Sequence, residues 1–167
     1  KNTGFVSTEW LNEHLEDENL RIIDATTFLQ IPEAGGYYDV WSGKEEYDKE
    51  HIPGAVFADL KNEFSDAEAS YNFAVIPHDE FVGKIKELGI TDDSFVVIYD
   101  RGAMVGVDFE ASDWASRFAW QLKFEGFDNI AILEGGYDKW KKENRPVTDE
   151  VDTPEKGELN IERRPEL

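Results

Sequence analysis

The fold is decided by one short stretch of sequence, Phe95-Val96-Val97-Ile98-Tyr99-Asp100. Its first five residues are β-branched or aromatic, which predicts a buried strand, and the aspartate places a charge where that strand ends. Similar runs at residues 20–24, 55–59 and 130–133 predict three more strands. Helical patterns lie between these runs. The alternation of strand and helix therefore predicts an α/β fold, with a parallel sheet that is covered by helices on both faces.

Capping residues and apolar spacing predict where the helices begin and end. Ser7 is a candidate N-cap for a helix that runs to about residue 15. Pro77 begins a helix in which apolar residues recur at helical spacing, and Gly89 is placed as its left-handed C-terminal residue. Further helices are predicted at residues 45–50, 137–142 and around Trp114, with Ser112 or Asp113 as the cap of the last. Residues 30–43 are predicted to form an irregular loop, and residues 60–76 a loop with helical turns.

Composition limits the classes of function. The chain has 167 residues, no cysteine and a formal net charge of −20. The absence of cysteine excludes disulfides, thiolate metal sites and cysteine nucleophiles. A field of this sign repels phosphate backbones and anionic lipids, so we expect no binding to nucleic acid or to a membrane. The acidic surface either keeps the protein soluble or docks a basic partner. We expect a cytoplasmic protein, and export with a removed signal stays open because residue 1 is not methionine.

Several motifs resemble, in order and spacing, the rhodanese family. They extend from about Val6 to Thr148 and read Leu20-Arg21-Ile22-Ile23-Asp24-Ala25, His51-Ile52-Pro53-Gly54-Ala55-Val56, Leu88-Gly89-Ile90, Val96-Val97-Ile98-Tyr99-Asp100, Leu133-Glu134-Gly135-Gly136-Tyr137-Asp138-Lys139-Trp140 and Asn144-Arg145-Pro146-Val147. The resemblance implies a three-layer α/β/α domain with a parallel sheet of about five strands. It also divides the chain into a rhodanese-like domain at residues 1–148 and a linker at residues 149–167.

The match is nearest to the amino-terminal half of two-domain thiosulfate or 3-mercaptopyruvate sulfurtransferases. In that half an aspartate stands where the catalytic half carries its cysteine, and here Asp100 fills the position. The resemblance thus implies a non-catalytic domain that completes a cleft against a second, catalytic rhodanese domain. The two domains would share a small sulfur-containing anion, and no cofactor is expected. Without a cysteine, this chain alone is predicted to be inactive.

Four residues are candidates for the wall of that cleft. Asp24 and Asp100 both end predicted strands, where open α/β sheets place their ligands. Arg101 follows directly and can donate to an anion or pair with a neighbouring acid. Phe28 lies just past the first predicted strand, where family members place an aromatic residue near the active site.

Two alternatives remain open. Asp24 and Asp100 could hold Mg²⁺ for phosphoryl transfer, as in receiver-type domains, although no lysine follows the last predicted strand. The chain could also be a stand-alone, non-catalytic rhodanese module that binds a protein partner. His51 is interpreted as a structural hydrogen-bonding residue because no second histidine or cysteine lies at ligand spacing. His14 and His78 are predicted to lie on the surface.

Overall fold

The computed structural model describes residues 4–30, 39–59, 76–101, 104–105, 113–151 and 153–163. In chain order the strands are β1 (Gly4–Val6), β2 (Leu20–Asp24), β3 (Thr27–Gln30), β4 (Asp39–Ser42), β5 (Ala55–Phe57), β6 (Phe95–Tyr99), β7 (Met104–Val105) and β8 (Ile130–Leu133). The strands β2, β6 and β8 form where the sequence carries short apolar or β-branched runs.

Five of these strands form the central sheet, in the order β1-β8-β6-β2-β5. All four pairings are parallel. The strands β4, β3 and β7 form a smaller sheet beside it. In the central sheet, the register pairs Asp24 of β2 with Tyr99 of β6. Both strands therefore end at the same edge, which is called the carboxyl edge below.

Helices cover both faces of the central sheet. They are α1 (Thr8–His14), α2 (Lys44–Lys49), α3 (His78–Glu87), α4 (Asp113–Phe124) and α5 (Gly136–Lys142). Because side chains alternate along a strand, Val96 and Ile98 of β6 join one apolar cluster with α3 and α4. Val97 and Tyr99 join the other cluster, with α1, α2 and α5. The predicted three-layer α/β/α fold with a five-stranded parallel sheet is confirmed.

Several local predictions are also confirmed. The Ser7 side chain accepts a hydrogen bond from the Trp10 amide at 3.0 Å and caps α1. Pro77 immediately precedes α3, and Gly89 after that helix has φ +84°. Residues with a Cβ rarely adopt this left-handed conformation, so glycine is suited to ending the helix here.

The structure differs from the predictions in several places, and the strands β3 and β7 are among the elements that were not predicted. The prediction of an irregular loop at residues 30–43 is wrong for its end, because Asp39–Ser42 pairs antiparallel with Thr27–Gln30. Strand β1 was not predicted, since two of its three residues are exposed and give no apolar run. The strand predicted at residues 55–59 ends at Phe57. The prediction for residues 60–75 lies outside the described residues.

The chain after α5 carries no further helix or strand in the residues that are described. Thr148 forms an isolated antiparallel bridge with His51. Residues 153–163 run in an extended course over the domain and are called the strap below. The division of the chain at residue 148 stays a prediction.

Candidate functional site at the carboxyl edge of the sheet

Two buried carboxylates lie at the carboxyl edge of the sheet. Asp24 ends β2, Asp100 follows β6, and neither residue is exposed to solvent. The two strands are parallel neighbours, so the sequence already places both aspartates at one edge. A buried carboxylate is stable only when hydrogen bonds or a cation replace its water. The partners of each aspartate therefore show what each one does.

Asp24 is held on both oxygens. Its Oδ1 accepts hydrogen bonds from the Thr26 backbone N–H at 3.0 Å and from the Thr26 hydroxyl at 2.6 Å. Its Oδ2 accepts from Arg101, with 3.0 Å to Nη2 and 3.3 Å to Nε. Asp24 thus forms a buried ion pair with Arg101. The interpretation that Arg101 pairs with a neighbouring acid is confirmed.

Arg101 is fixed in position by two further contacts. Its Nη2 also donates to the backbone carbonyl of Glu50 at 2.5 Å, and its guanidinium lies 4.1 Å from the ring centroid of Tyr137. Burial opposes the charge of Arg101, but the Asp24 carboxylate outweighs this effect and raises the pKa of the guanidinium above its usual range. The side chain is 10% exposed.

The third nitrogen of this guanidinium, Nη1, differs from Nε and Nη2. Among the described residues, Nη1 of Arg101 has no hydrogen-bond partner. No fully buried side-chain nitrogen or oxygen of the described residues lacks a partner, so Nη1 retains contact with solvent. The carboxyl edge therefore presents two N–H donors of a rigid, permanently charged group.

Asp100 contacts a helix. Its Oδ2 accepts a hydrogen bond from the backbone N–H of Ala115 at 2.8 Å, within the first turn of α4. The first N–H groups of a helix have no partner inside the helix and carry partial positive charge. The Asp100 carboxylate fills this anion-binding position. The cap predicted from Ser112 lies outside the described residues, and the observed partner comes from 15 residues away in sequence.

The segments that leave β2 and β6 pair with each other beyond this edge. Phe28 lies in β3, opposite Trp41 of β4. On its other side β3 pairs in parallel with β7, which follows Arg101 closely. The backbone of Phe28 therefore belongs to the small sheet that is joined to Asp24 and Arg101 by short connections.

Three residues of this region were not identified from the sequence. The Glu50 carboxylate accepts hydrogen bonds from the Tyr137 hydroxyl and from Lys141 Nζ, the latter at 2.5 Å. The Lys141 and Tyr137 hydrogen bonds lower the pKa of Glu50 below its usual 4.5. Tyr137 follows Gly135 and Gly136, whose φ angles of +80° and +63° make the sharp turn into α5. This glycine pair was the available signal for Tyr137.

The arrangement gives the magnesium hypothesis no support. Both aspartates already accept hydrogen bonds, and Asp24 is paired with an arginine. Across the described ranges, no group of three His, Asp or Glu side chains is placed to hold a metal ion.

The side chain of His51 contacts backbone carbonyls and not the two aspartates. It is fully buried, and its two ring nitrogens lie 2.6 Å from the carbonyl oxygens of Tyr47 and Glu150. These contacts join α2 to the chain after α5 and confirm the structural interpretation. Searched over its described residues, the structure has no helix long and apolar enough to cross a membrane.

Comparison with known proteins agrees with this architecture. The family model described as a rhodanese-like domain matches residues 7–143. The mouse thiosulfate sulfurtransferase is 32% identical over 166 residues, which cover 95% of this chain and 51% of that protein. The 3-mercaptopyruvate sulfurtransferase of Escherichia coli K12 is 31% identical over 170 residues, which cover 98% of this chain and 53% of that protein.

A solved structure extends the likeness to the fold. The crystal structure of SseA from Escherichia coli, a 3-mercaptopyruvate sulfotransferase, superposes with a TM-score of 0.78 at 28% identity and covers 99% of this chain and 57% of that one. The chain thus spans about half the length of the curated relatives that it matches. By its motifs, its sheet and these matches, the chain belongs to the rhodanese-like domain family.

Proposed function

We propose that this domain is the non-catalytic half of a thiosulfate- or 3-mercaptopyruvate-type sulfurtransferase and forms one wall of a cleft against a catalytic, cysteine-bearing domain. The hydrogen bond from the Ala115 amide to Asp100 is the observation that carries the proposal. Asp100 stands where the resemblance expects the sulfur-carrying cysteine. The position is thus occupied by a residue that cannot perform the transfer.

The chemistry of the two side chains separates the roles. A thiolate attacks the outer sulfur of a donor such as thiosulfate, the S–S bond of the donor breaks, sulfite leaves with the electron pair, and the transferred sulfur stays as a persulfide. Helix N–H groups assist by lowering the thiol pKa. A carboxylate has no sulfur to extend, and here its own negative charge takes up the helix donor. With no cysteine in its 167 residues, the chain has no alternative nucleophile of this kind.

Arg101 is the group through which the domain would contact a shared anion. The surrounding protein is strongly acidic, with a formal net charge of −20, so a small sulfur-containing anion needs a local cation. Arg101 supplies two donors on Nη1, while Asp24 and Tyr137 hold the guanidinium in one orientation. Asp24 is then a positioning residue, and Phe28 contributes through the small sheet beside it.

The activity of this chain alone tests the first part of the proposal. We expect no thiocyanate from thiosulfate and cyanide, with a cysteine-bearing rhodanese domain as the positive control. Cyanide-dependent thiocyanate formation by the chain itself would contradict the argument from Asp100.

The natural protein tests the second part. The reading frame after Leu167 should encode a domain in which a strand ends in cysteine. In that protein Arg101→Lys should raise KM for the anionic donor roughly tenfold, with a smaller effect on kcat, because lysine keeps the charge but loses the planar fork. Arg145→Lys is the matched control, since Arg145 pairs with Glu143 away from this edge. Equal effects of the two substitutions would remove Arg101 from the cleft.

The net charge favours one second candidate, a stand-alone module that docks a basic protein partner. A stop codon after Leu167 would favour this candidate. Binding to a basic partner should then weaken steeply between 50 mM and 500 mM salt, because the attraction of exposed charges is screened.

A further inference from the structure

The strap is seated in the domain by its backbone and one apolar side chain. The Gly157 amide donates to the Lys86 carbonyl at 2.8 Å, and a Cβ on Gly157 would lie 2.2 Å from the Ile90 carbonyl oxygen. Only glycine permits this close approach. Leu159 is 3% exposed and belongs to the apolar cluster of α3 and α4. The strap thus adds to the core, although it lies beyond the family match at residues 7–143.

The end of the strap is anchored to a buried carboxylate. Glu125 follows α4 and is fully buried. Arg163 binds it in a two-pronged arrangement, with Nε 2.8 Å from Oε1 and Nη2 2.9 Å from Oε2. Nη2 also donates to the carbonyl of Ile76 at 2.9 Å, and the guanidinium lies 5.2 Å from the Phe124 ring centroid. A bidentate pair of this kind fixes both distance and orientation.

A histidine joins the same carboxylate to the strap. His78, the first residue of α3, has Nδ1 2.7 Å from Glu125 Oε1 and Nε2 3.0 Å from the carbonyl oxygen of Ile161. Its side chain is half-buried, with 25% of its surface exposed. Both partners are acceptors. The two hydrogen bonds therefore form together only when the ring carries both protons, because neutral imidazole has one N–H.

We propose that Glu125, Arg163 and His78 form a pH-sensitive clamp that holds the strap firmly when His78 is protonated and loosens it when His78 is neutral. On deprotonation, either Glu125 or the Ile161 carbonyl loses its hydrogen bond from His78 and faces a lone pair of the ring instead. Arg163 keeps its charge and its contacts, so the strap loosens without being released. Among the described residues, the charged groups that face His78 are Glu125 and Arg163, and Asp79 and Glu80 follow it on α3.

The direction of the pH dependence follows from these groups. Partial burial opposes the imidazolium, but the hydrogen bonds to Glu125 and Ile161 outweigh it, so the pKa of His78 lies above its usual 6.5. A group whose pKa is raised by folding stabilises the fold below its unfolded pKa. This contribution is lost as pH rises through the folded pKa. The clamp is thus closed in mildly acidic solution and loosens above neutrality.

Native-state hydrogen exchange across the strap tests the clamp. After correction for intrinsic rates, protection of residues 157–163 should fall roughly fivefold between pH 6 and pH 8.5, which corresponds to the loss of about one hydrogen bond. The fall should coincide with the His78 titration followed by NMR. In His78→Gln the side chain is neutral at every pH, so protection should be low and independent of pH.

His14→Gln is the matched control, because His14 also lies in a helix and contacts a backbone carbonyl, that of Trp10. This variant should keep the pH dependence of the strap. Constant protection of the wild-type strap through the His78 titration would overturn the proposal. So would a His78→Gln protein that keeps the pH dependence. The wild-type measurement alone decides the question if that variant does not fold.

Discussion

Two buried carboxylates in this domain are each held by an arginine, yet their surroundings differ. At the carboxyl edge, Asp24 is bound by Arg101 and by Thr26, whose donors keep their protons at neutral pH. At the clamp, Glu125 is bound by Arg163 and by His78, an imidazole that can lose its proton. The first site is expected to stay rigid across neutral pH, and the second to respond to it. The partner other than the arginine, Thr26 at one site and His78 at the other, makes this difference.

The two arginines also differ in their exposure and in what they hold. Arg101 is 10% exposed and retains solvent contact on one nitrogen, so it is fixed but not fully enclosed. Arg163 is 33% exposed and uses its contacts to attach a distant part of the chain. Arg101 thus binds a carboxylate within the sheet edge, whereas Arg163 fastens a segment from 38 positions further along the chain.

The largest expected effect comes from Asp24→Ala. The substitution leaves the Arg101 charge largely buried without its partner, which typically costs about 3–5 kcal/mol in free energy of unfolding. Urea denaturation near pH 7 measures it. Asp48→Ala is the matched control, because the Asp48 pair with Lys44 is exposed and contributes at most about 1 kcal/mol. Similar losses for both variants would show that the buried pair has no special weight.

The next effect sharpens the difference between the two arginines. Arg163→Met should lower the free energy of unfolding by about 2 kcal/mol at pH 8, because Glu125 loses its permanently charged partner and His78 is less protonated there than at pH 6. The loss should be smaller at pH 6, where protonated His78 still compensates Glu125. Urea denaturation at both pH values provides the measurement. Arg101→Met should show no such change between pH 6 and pH 8. An equal pH dependence of the two variants would show that His78 does not distinguish the two sites.

A smaller effect is expected for the carboxylate that has a helix as its partner. Asp100→Ala removes the hydrogen bond to Ala115 and should cost about 1–2 kcal/mol, as for loss of a helix cap. Ser7→Ala at the start of α1 is the matched control, with about 1 kcal/mol expected. Thermal unfolding measures both. A stabilising Asp100→Ala would mean that burying this charge costs more than the cap contributes.

The sequence was sufficient to predict four of the five strands of the central sheet and part of the site. Long apolar runs and Gly89 predict the main strands and the end of α3, and parallel pairing then brings Asp24 and Asp100 to one edge. The sequence also allowed Arg101 to pair with an acid beside it, because the two strand ends are adjacent.

Other features depend on contacts that no local pattern records. Glu50 meets Tyr137 across 87 positions of sequence, and Glu125 meets Arg163 across 38. The course of the strap decides the second contact, and it is set by close backbone approach at Gly157 and burial of Leu159. Short strands such as β3 and β4 are equally hard to predict, because four residues are too few to show a period.

The hydrogen bond between Asp100 and the start of α4 also indicates what a thiol at position 100 would contact. The strand before this position and the helix donor beside it are both present in the structure. We expect Asp100→Cys to place a thiol beside the Ala115 amide, where the helix would lower its pKa. The rate at which that thiol reacts with a sulfhydryl reagent would show how far this position activates a nucleophile. A single substitution at the end of β6 thus tests whether the start of α4 can activate a nucleophile at this position.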